Sequence, residues 1–397
     1  MDAIDERRAL RRARNAVAAA FAAHATLAGL LGPWIPELKA RNGLDAAGLG
    51  IALAGLAAGL LIGTRVADPA VRRIGGRALV RAGIPALGLG YALLPASRGL
   101  APLTATFVAI GVVSGLVDVA MNVEAVAVER RHRRRVMTAI HGVWSVSLFV
   151  GAGLAAAAIA VGMPIAVHLP IAAALVVGAA SVLLRALPAS ADPGEDAAAL
   201  APRTASTARR IALLCLIAGS SFIVEGIAVE WSAVYLRGPV RTSASVAGLA
   251  VVAFSAGMAT SRFVGDRLVA RVGQPIVVRV GGAVAALALG TALAVGTTAT
   301  SLAAFAIVGL GLGPVVPLAF RSAGALPRRH GGSALPLVAT AGYAGSVVGP
   351  LVVGLVADRY GLRPAFLVPV LACAAAAFAA AAAREDTPQP TSPSTST

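Results

Sequence analysis

Residues 66–83 read VADPAVRRIGGRALVRAG, and residues 264–281 read VGDRLVARVGQPIVVRVG. Asp68, Arg73, Gly75, Arg81 and Gly83 of the first string recur as Asp266, Arg271, Gly273, Arg279 and Gly281 of the second, each 198 residues further on. Gly111, Gly115 and Gly151 recur at the same offset as Gly309, Gly313 and Gly349. Trp34 and Trp231 match at 197, and Ala47-Gly48-Leu49 matches Ala247-Gly248-Leu249 at 200. Single matches in a chain rich in glycine and alanine arise by chance. Five spaced positions in one string do not, so the chain reads as a duplicated unit.

Each string joins two long apolar stretches. A bilayer core of about 30 Å needs roughly 20 apolar residues of helix. Twelve stretches qualify, at 16–36, 47–67, 78–97, 101–128, 137–160, 165–187, 211–236, 244–264, 276–297, 300–322, 332–357 and 364–383. They are numbered spans 1 to 12 in that order. Composition agrees: 58% of the 397 residues are hydrophobic and 13% are charged, with a mean hydropathy of +0.82. A soluble domain carries about 25% charged residues. Too few charges are present to coat soluble domains, and the apolar content excludes disorder. Short alternating segments of a β-barrel are absent. The basic residues 1–15 precede an apolar run of full span length, so the first span is expected to be uncleaved rather than a signal peptide. Cys215 and Cys373 fall in apolar runs on different spans and read as core residues.

The polar stretch 187–210 separates six spans from six. The expected fold is an all-α membrane protein of 12 transmembrane helices in two pseudo-symmetric six-helix bundles. The expected divisions are an N-terminal bundle over 1–186, a central loop over 187–210, a C-terminal bundle over 211–384 and a disordered tail over 385–397. Duplicated halves of this kind bind solute near the midplane and rock to expose it alternately.

The formal net charge is +16, which in a soluble protein points to nucleic acid. Placed on twelve spans, 27 of the 34 basic residues fall on the face carrying both termini and seven on the other. That asymmetry predicts a cytoplasmic terminal face in a bacterial inner membrane. The run Arg130, Arg131, His132, Arg133, Arg134, Arg135 then reads as an anchor loop against lipid headgroups, and no nucleic acid is expected.

These features resemble the major facilitator superfamily over essentially the whole chain. That family's turn pattern, Gly-x3-Asp-Arg/Lys-x-Gly-x-Arg, is partly kept. After span 2 stands Asp68-Pro69 followed by Arg72-Arg73-Ile74-Gly75-Gly76-Arg77. After span 8 stands Gly265-Asp266-Arg267 with Arg271 and Gly273. A full copy, Gly354-x3-Asp358-Arg359-Tyr360-Gly361-Leu362-Arg363, follows span 11. The resemblance implies that Asp68, Arg73, Gly75, Asp266, Arg267, Arg271 and Gly273 gate the conformational change instead of contacting solute. Pro69 replaces the expected basic residue in the first copy.

A charge at a helix centre costs about 2.5–3.5 kcal/mol on insertion scales, so each intramembrane charge calls for a role. Span 4 reads GLVDVAMNVEAVAVER, with Asp118 near its middle and Asn122 one turn later on the same face. Glu124 lies about 240° round from Asp118. Span 7 carries Glu225 near mid-depth and Glu230 beside Trp231. His24 lies in span 1, and His141, Trp144 and Ser145 lie in span 5. A carboxyl held away from water can take up and release a proton as its solvent access changes. Asp118, Asn122, Glu225, Glu124, His24, His141 and Trp144 are therefore the candidates for proton coupling or solute binding. Trp34 and Trp231 read as belt or core residues at helix ends, and Tyr235 and Tyr343 as further aromatic candidates.

The string Gly115-x2-Asp118-x3-Asn122, followed by Gly142-x-Trp144-Ser145, is similar to the fucose-permease-like branch and its uncharacterised bacterial inner-membrane members. The resemblance implies proton coupling with Asp118 as the carrier. The branch's second acid in span 1 falls at Gly32 here, and Trp144 replaces a helix-5 amide, so sugar specificity does not carry over. Span 10 holds Gly309, Gly311, Gly313, Pro314 and Pro317, which predicts an unwound or kinked cavity-lining helix. The Gly-Pro pair typical of drug/proton antiporters on helix 5 occurs here on span 11, as Gly349-Pro350, and not on span 5.

The expected function is secondary active transport of a small solute by alternating access, coupled to protons. The alternatives are proton-driven efflux of a hydrophobic drug or natural product and a transport-inactive membrane sensor or scaffold. No nucleophile–base pair, metal spacing or P-loop is visible, so neither an enzyme, a metal nor a cofactor is expected. The expected partners are the solute, protons and membrane lipids, with the chain acting as a monomer.

Overall fold

The computed structural model describes residues 3–132, 137–187, 205–326 and 334–384. Residues 133–135 of the Arg130–Arg135 cluster, the side chains of that whole cluster, most of the 187–210 loop and the 385–397 tail lie outside the described residues. The side chain of Asp266 lies outside them as well. The described secondary structure is entirely helical. Among the described residues, twelve helices are long and apolar enough to cross a membrane. Spans 1 to 6 run Leu10–Arg41, Ala46–Ile74, Gly76–Ala96, Leu100–Glu129, Ala139–Ala160 and Ile165–Leu184. Spans 7 to 12 run Thr207–Glu230, Ala244–Gly265, Gln274–Val295, Thr298–Gly324, Leu335–Tyr360 and Leu362–Ala383. Large apolar side chains such as Leu175, Leu287 and Phe378 point outward, as a lipid-facing surface requires.

The duplication extends to individual hydrogen bonds. The second helix of each half has 29 residues, Ala46–Ile74 and Ala244–Val272. The first is capped by Asp45, which accepts from the Gly48 N–H at 2.6 Å. The second is capped by Ser243, which accepts from the Val246 N–H at 3.4 Å. Such caps satisfy backbone donors left over at a helix start. The helices end at Gly75 (φ 87°) and Gly273 (φ 82°), whose N–H groups donate to Val71 O and Val269 O. A positive φ of this kind strains any residue with a Cβ, which explains why both strings keep these glycines.

Packing repeats with the same offset. Span 4 lies on span 2 so closely that a Cβ on Gly111 would overlap the Leu56 carbonyl and stand 2.7 Å from the Leu60 nitrogen. Span 10 lies on span 8 in the same way, where a Cβ on Gly309 would overlap the Phe254 carbonyl and stand 2.7 Å from the Met258 nitrogen. Small residues at such crossings let backbones approach, which drives helix association where no hydrophobic gain exists between helices in lipid.

The halves meet through spans 2 and 11 and through spans 5 and 8. Away from the terminal face the seam is lined with glycine. A Cβ on Gly354 would stand 2.8 Å from the Gly50 Cα, and one on Gly32 would stand 2.6 Å from the Val229 carbonyl. Gly248 at the start of span 8 packs on Pro33 and Ala156. Nearer the terminal face, Phe263 packs on Gly142.

Span 10 is interrupted where its glycines and prolines predict, briefly: its helix stops at Leu312 and resumes at Val315. Gly313 and Pro314 between them keep right-handed dihedrals. The Ser261 hydroxyl, which donates to Met258 O, also points at Gly309 O just before the break. Of the two readings for Trp34, belt or core, the structure gives core: it is buried and its indole N–H donates to His168 Nδ1 at 3.0 Å. Arg65 and Arg262, two of the basic residues assigned to the terminal face, lie inside helices Ala46–Ile74 and Ala244–Val272.

Candidate functional site

Polar side chains from both halves converge between spans 1, 4, 5 and 8. His24 of span 1 is buried, with Nε2 2.8 Å from Ser114 Oγ of span 4. On its other side the Trp144 indole N–H of span 5 donates to His24 Nδ1 over a long 3.4 Å. An indole N–H can only donate, so Nδ1 must offer a lone pair. The ring proton then sits on Nε2 and is donated to Ser114. His24 is thus a neutral strut across three helices in this conformation.

Trp144 connects this strut to the other half of the molecule. The Arg262 guanidinium of span 8 lies over its ring, 5.7 Å from the centroid. Cation–π contacts at this range are worth about 0.5–2 kcal/mol, more as water is removed. Arg262 also donates to Ser145 Oγ at 2.7 Å. The Ser145 hydroxyl in turn donates to the His141 carbonyl at 3.0 Å, which leaves its lone pairs facing the arginine. The His141 ring meets Phe21 edge-on at 5.4 Å.

The carboxylates surround this network. Asp118 is half-buried one turn beyond Ser114, on the same face of span 4. Its carboxylate forms no hydrogen bond with the described residues, and Tyr343 of span 11 lies within its electrostatic reach. Asn122 spends its amide N–H on the Asp118 backbone carbonyl at 2.8 Å. Glu225 of span 7 is half-buried and within electrostatic reach of Arg262, but the two do not close to an ion pair.

Other candidates lie elsewhere. Glu124 is fully buried against the start of span 3, where a Cβ on Gly76 would stand 2.7 Å from its Oε1. A carboxylate there faces the positive end of the span 3 helix. Trp231 and Tyr235 are buried core residues, with Tyr235 packed on Phe366 at 4.4 Å between centroids. Tyr343 packs edge-on against Phe222. Among the gating candidates, Asp68, Arg73, Arg267 and Arg271 are exposed, and Gly75 and Gly273 form the two turns.

Sequence reasoning missed Arg262 and Ser114. A signal for Arg262 existed: it was the only charge in the apolar stretch 244–264. A charge two residues from a span's end reads as one that snorkels to the interface, and its contact with Trp144 reverses that reading. Ser114 has no such signal, because a lone serine in a span is ordinary.

A family model described as Major Facilitator Superfamily matches residues 17–317 and 213–397. An uncharacterised MFS-type transporter of Yersinia pestis is 30% identical over 354 residues, covering 89% of this chain and 91% of its own. Multidrug resistance protein MdtG of Serratia proteamaculans is 46% identical, over 68 residues and 17% of this chain. Among solved structures, the nucleoside transporter NupG superposes with a TM-score of 0.71 at 13% identity, covering 94% of this chain and 99% of its own. That likeness speaks to fold alone.

Proposed function

The chain belongs to the Major Facilitator Superfamily, and from that membership we propose that it is a secondary active transporter. It moves a small solute across the bacterial cytoplasmic membrane by alternating access, coupled to protons, with its terminal face in the cytoplasm. The observation that carries this reading is the polar cluster shared between the halves. His24, Asp118 and Trp144 come from one repeat, and Glu225, Arg262 and Tyr343 come from the other. A site divided in this way is remade each time the halves rock.

Asp118 is the proposed proton carrier, with Glu225 as a second acid. A half-buried carboxylate with no donor among the described residues is free to change protonation as its access to water changes. The likeness of the Asp118–Asn122 string to the fucose-permease-like branch supports the same assignment. The residues that would lock and release the states are Asp68, Arg73, Asp266, Arg267 and Arg271, with Gly75 and Gly273 as their turns.

The test is solute flux in proteoliposomes under an imposed pH gradient, using compounds first selected by thermal stabilisation of the purified chain. Wild-type protein concentrates the solute when the gradient is present, and Asp118→Asn does not. Proton-driven flux unchanged in Asp118→Asn removes that residue from the mechanism. The segment shared with MdtG favours a second reading, efflux of a hydrophobic compound. A deletion strain hypersensitive to such compounds, with no defect in uptake, would select it.

A further inference from the structure

Arg262 is a cation inside a span, and the described residues around it take few of its donors. A guanidinium offers five N–H donors in a rigid planar fork. Ser145 Oγ takes one of them at 2.7 Å. Trp144 covers a face of the group, which satisfies no donor. Glu225 feels its charge without forming an ion pair. His141 also lies within reach of its field, and it supplies no negative charge. Arg262 is half-buried, and its remaining N–H groups are not among the buried unpartnered atoms, so they stay open to a partner that the described residues do not provide.

The surroundings restrict that partner. The free donors lie along the edge of the fork, which suits a planar two-oxygen acceptor. One cation neutralises one negative charge, and the nearby acid Glu225 disfavours a second. A phosphate dianion is thereby disfavoured, and a monocarboxylate fits. The accessible aromatic neighbour is Trp144, half-buried under the guanidinium. An indole already polarised by a cation favours an apolar or aromatic body next to the carboxylate.

We propose that Arg262 anchors the carboxylate of a small amphipathic organic acid whose apolar body lies along Trp144. The solute is then an organic monoanion and not a neutral sugar or an organic cation. This rests on the transporter reading and names the solute class of the same site.

The test uses the purified full-length chain with three probes of one shape: phenylacetate, phenylacetamide and phenethylamine. Binding is read at millimolar concentrations by thermal stabilisation and by quenching of tryptophan fluorescence. Phenylacetate is expected to bind at least about tenfold more tightly than the other two, since a hydrogen bond to a charged group is worth about 1.5–3 kcal/mol. Arg262→Gln is expected to abolish that preference. Arg262→Lys, which keeps the charge and loses the fork, is expected to restore it in part, an outcome that a purely structural role does not give. Equal binding of the amide, tighter binding of the amine, no binding of phenylacetate, or phenylacetate binding unchanged in Arg262→Gln overturns the proposal. If Arg262→Gln fails to fold, the wild-type ranking of the three probes and the Arg262→Lys variant decide. Arg262-dependent binding of phenylacetate without flux in proteoliposomes would sink the transporter reading and leave the anion site standing. Flux of neutral solutes at wild-type rate in Arg262→Gln would do the reverse.

Discussion

The guanidinium of Arg262 lies 5.7 Å from the centre of the Trp144 indole, although the two residues sit in opposite repeats of a duplicated chain. Ser145, next to Trp144, holds the same guanidinium by a 2.7 Å hydrogen bond. Span 5 therefore grips span 8 by two neighbouring side chains, and the grip must loosen when the halves rock. Ser145→Ala is expected to remove about 1.5–3 kcal/mol of that grip. A double-mutant cycle with Arg262→Gln, read by thermal unfolding in detergent, should show coupling. Additive effects in the cycle would show that the bond contributes nothing between the halves.

The His24 strut gives a separate expectation. Ser114 accepts the His24 Nε2 proton in a buried site. Ser114→Ala leaves that donor without a partner at a cost of about 1–3 kcal/mol. Thermal unfolding in detergent should show a lower midpoint for Ser114→Ala, and Ser114→Thr, which keeps the hydroxyl, should recover most of it. Equal losses in both variants would mean that volume matters at this position and the hydrogen bond does not.

The paired crossings make the duplication testable at the level of packing. Gly111→Ala and Gly309→Ala each drive a methyl into a backbone carbonyl, of Leu56 and of Phe254. Overpacking of this kind typically costs about 1–3 kcal/mol. The two variants should lose similar stability, while Gly153→Ala and Gly290→Ala, where an added Cβ meets nothing within 4 Å, should lose none. Unequal effects of Gly111→Ala and Gly309→Ala would show that the two crossings, alike in backbone geometry, differ in how far they can relax.

Much of this architecture was legible in the sequence because its causes are local or periodic. Span length follows from bilayer thickness, and the turn glycines Gly75 and Gly273 follow from a positive φ that few other residues tolerate. The glycine ladder at 111, 115 and 309 repeats because the crossing it serves repeats. The site was legible only where a residue is anomalous by itself, as Asp118, Glu225 and His24 are in an apolar span. Arg262 was hidden by its position near the end of a span, where a charge is cheap. The Trp34–His168 and Trp144–His24 bonds were hidden because each joins residues more than a hundred positions apart. No periodicity encodes such a pairing, and only tertiary packing creates it.

The glycine seam between spans 2 and 11 carries the last expectation. Gly50 and Gly354 approach so closely that a Cβ on either falls within 3.0 Å of the other's Cα. They belong to opposite halves, on the side away from the terminal face. A larger side chain there obstructs one closed arrangement without touching the polar cluster. Gly354→Val should therefore leave the chain folded and its site intact, yet hold that side of the seam open. Expected outcomes are loss of at least about tenfold in flux, since the obstruction is of the size that costs about 1–3 kcal/mol in a packed core, with solute binding retained. A cysteine placed at Ala46, whose carbonyl would lie 2.7 Å from a Cβ on Gly354, should become more reactive toward a membrane-impermeant thiol reagent. Wild-type flux in Gly354→Val would mean that this contact can be given up during the cycle, and the seam would then not be a gate.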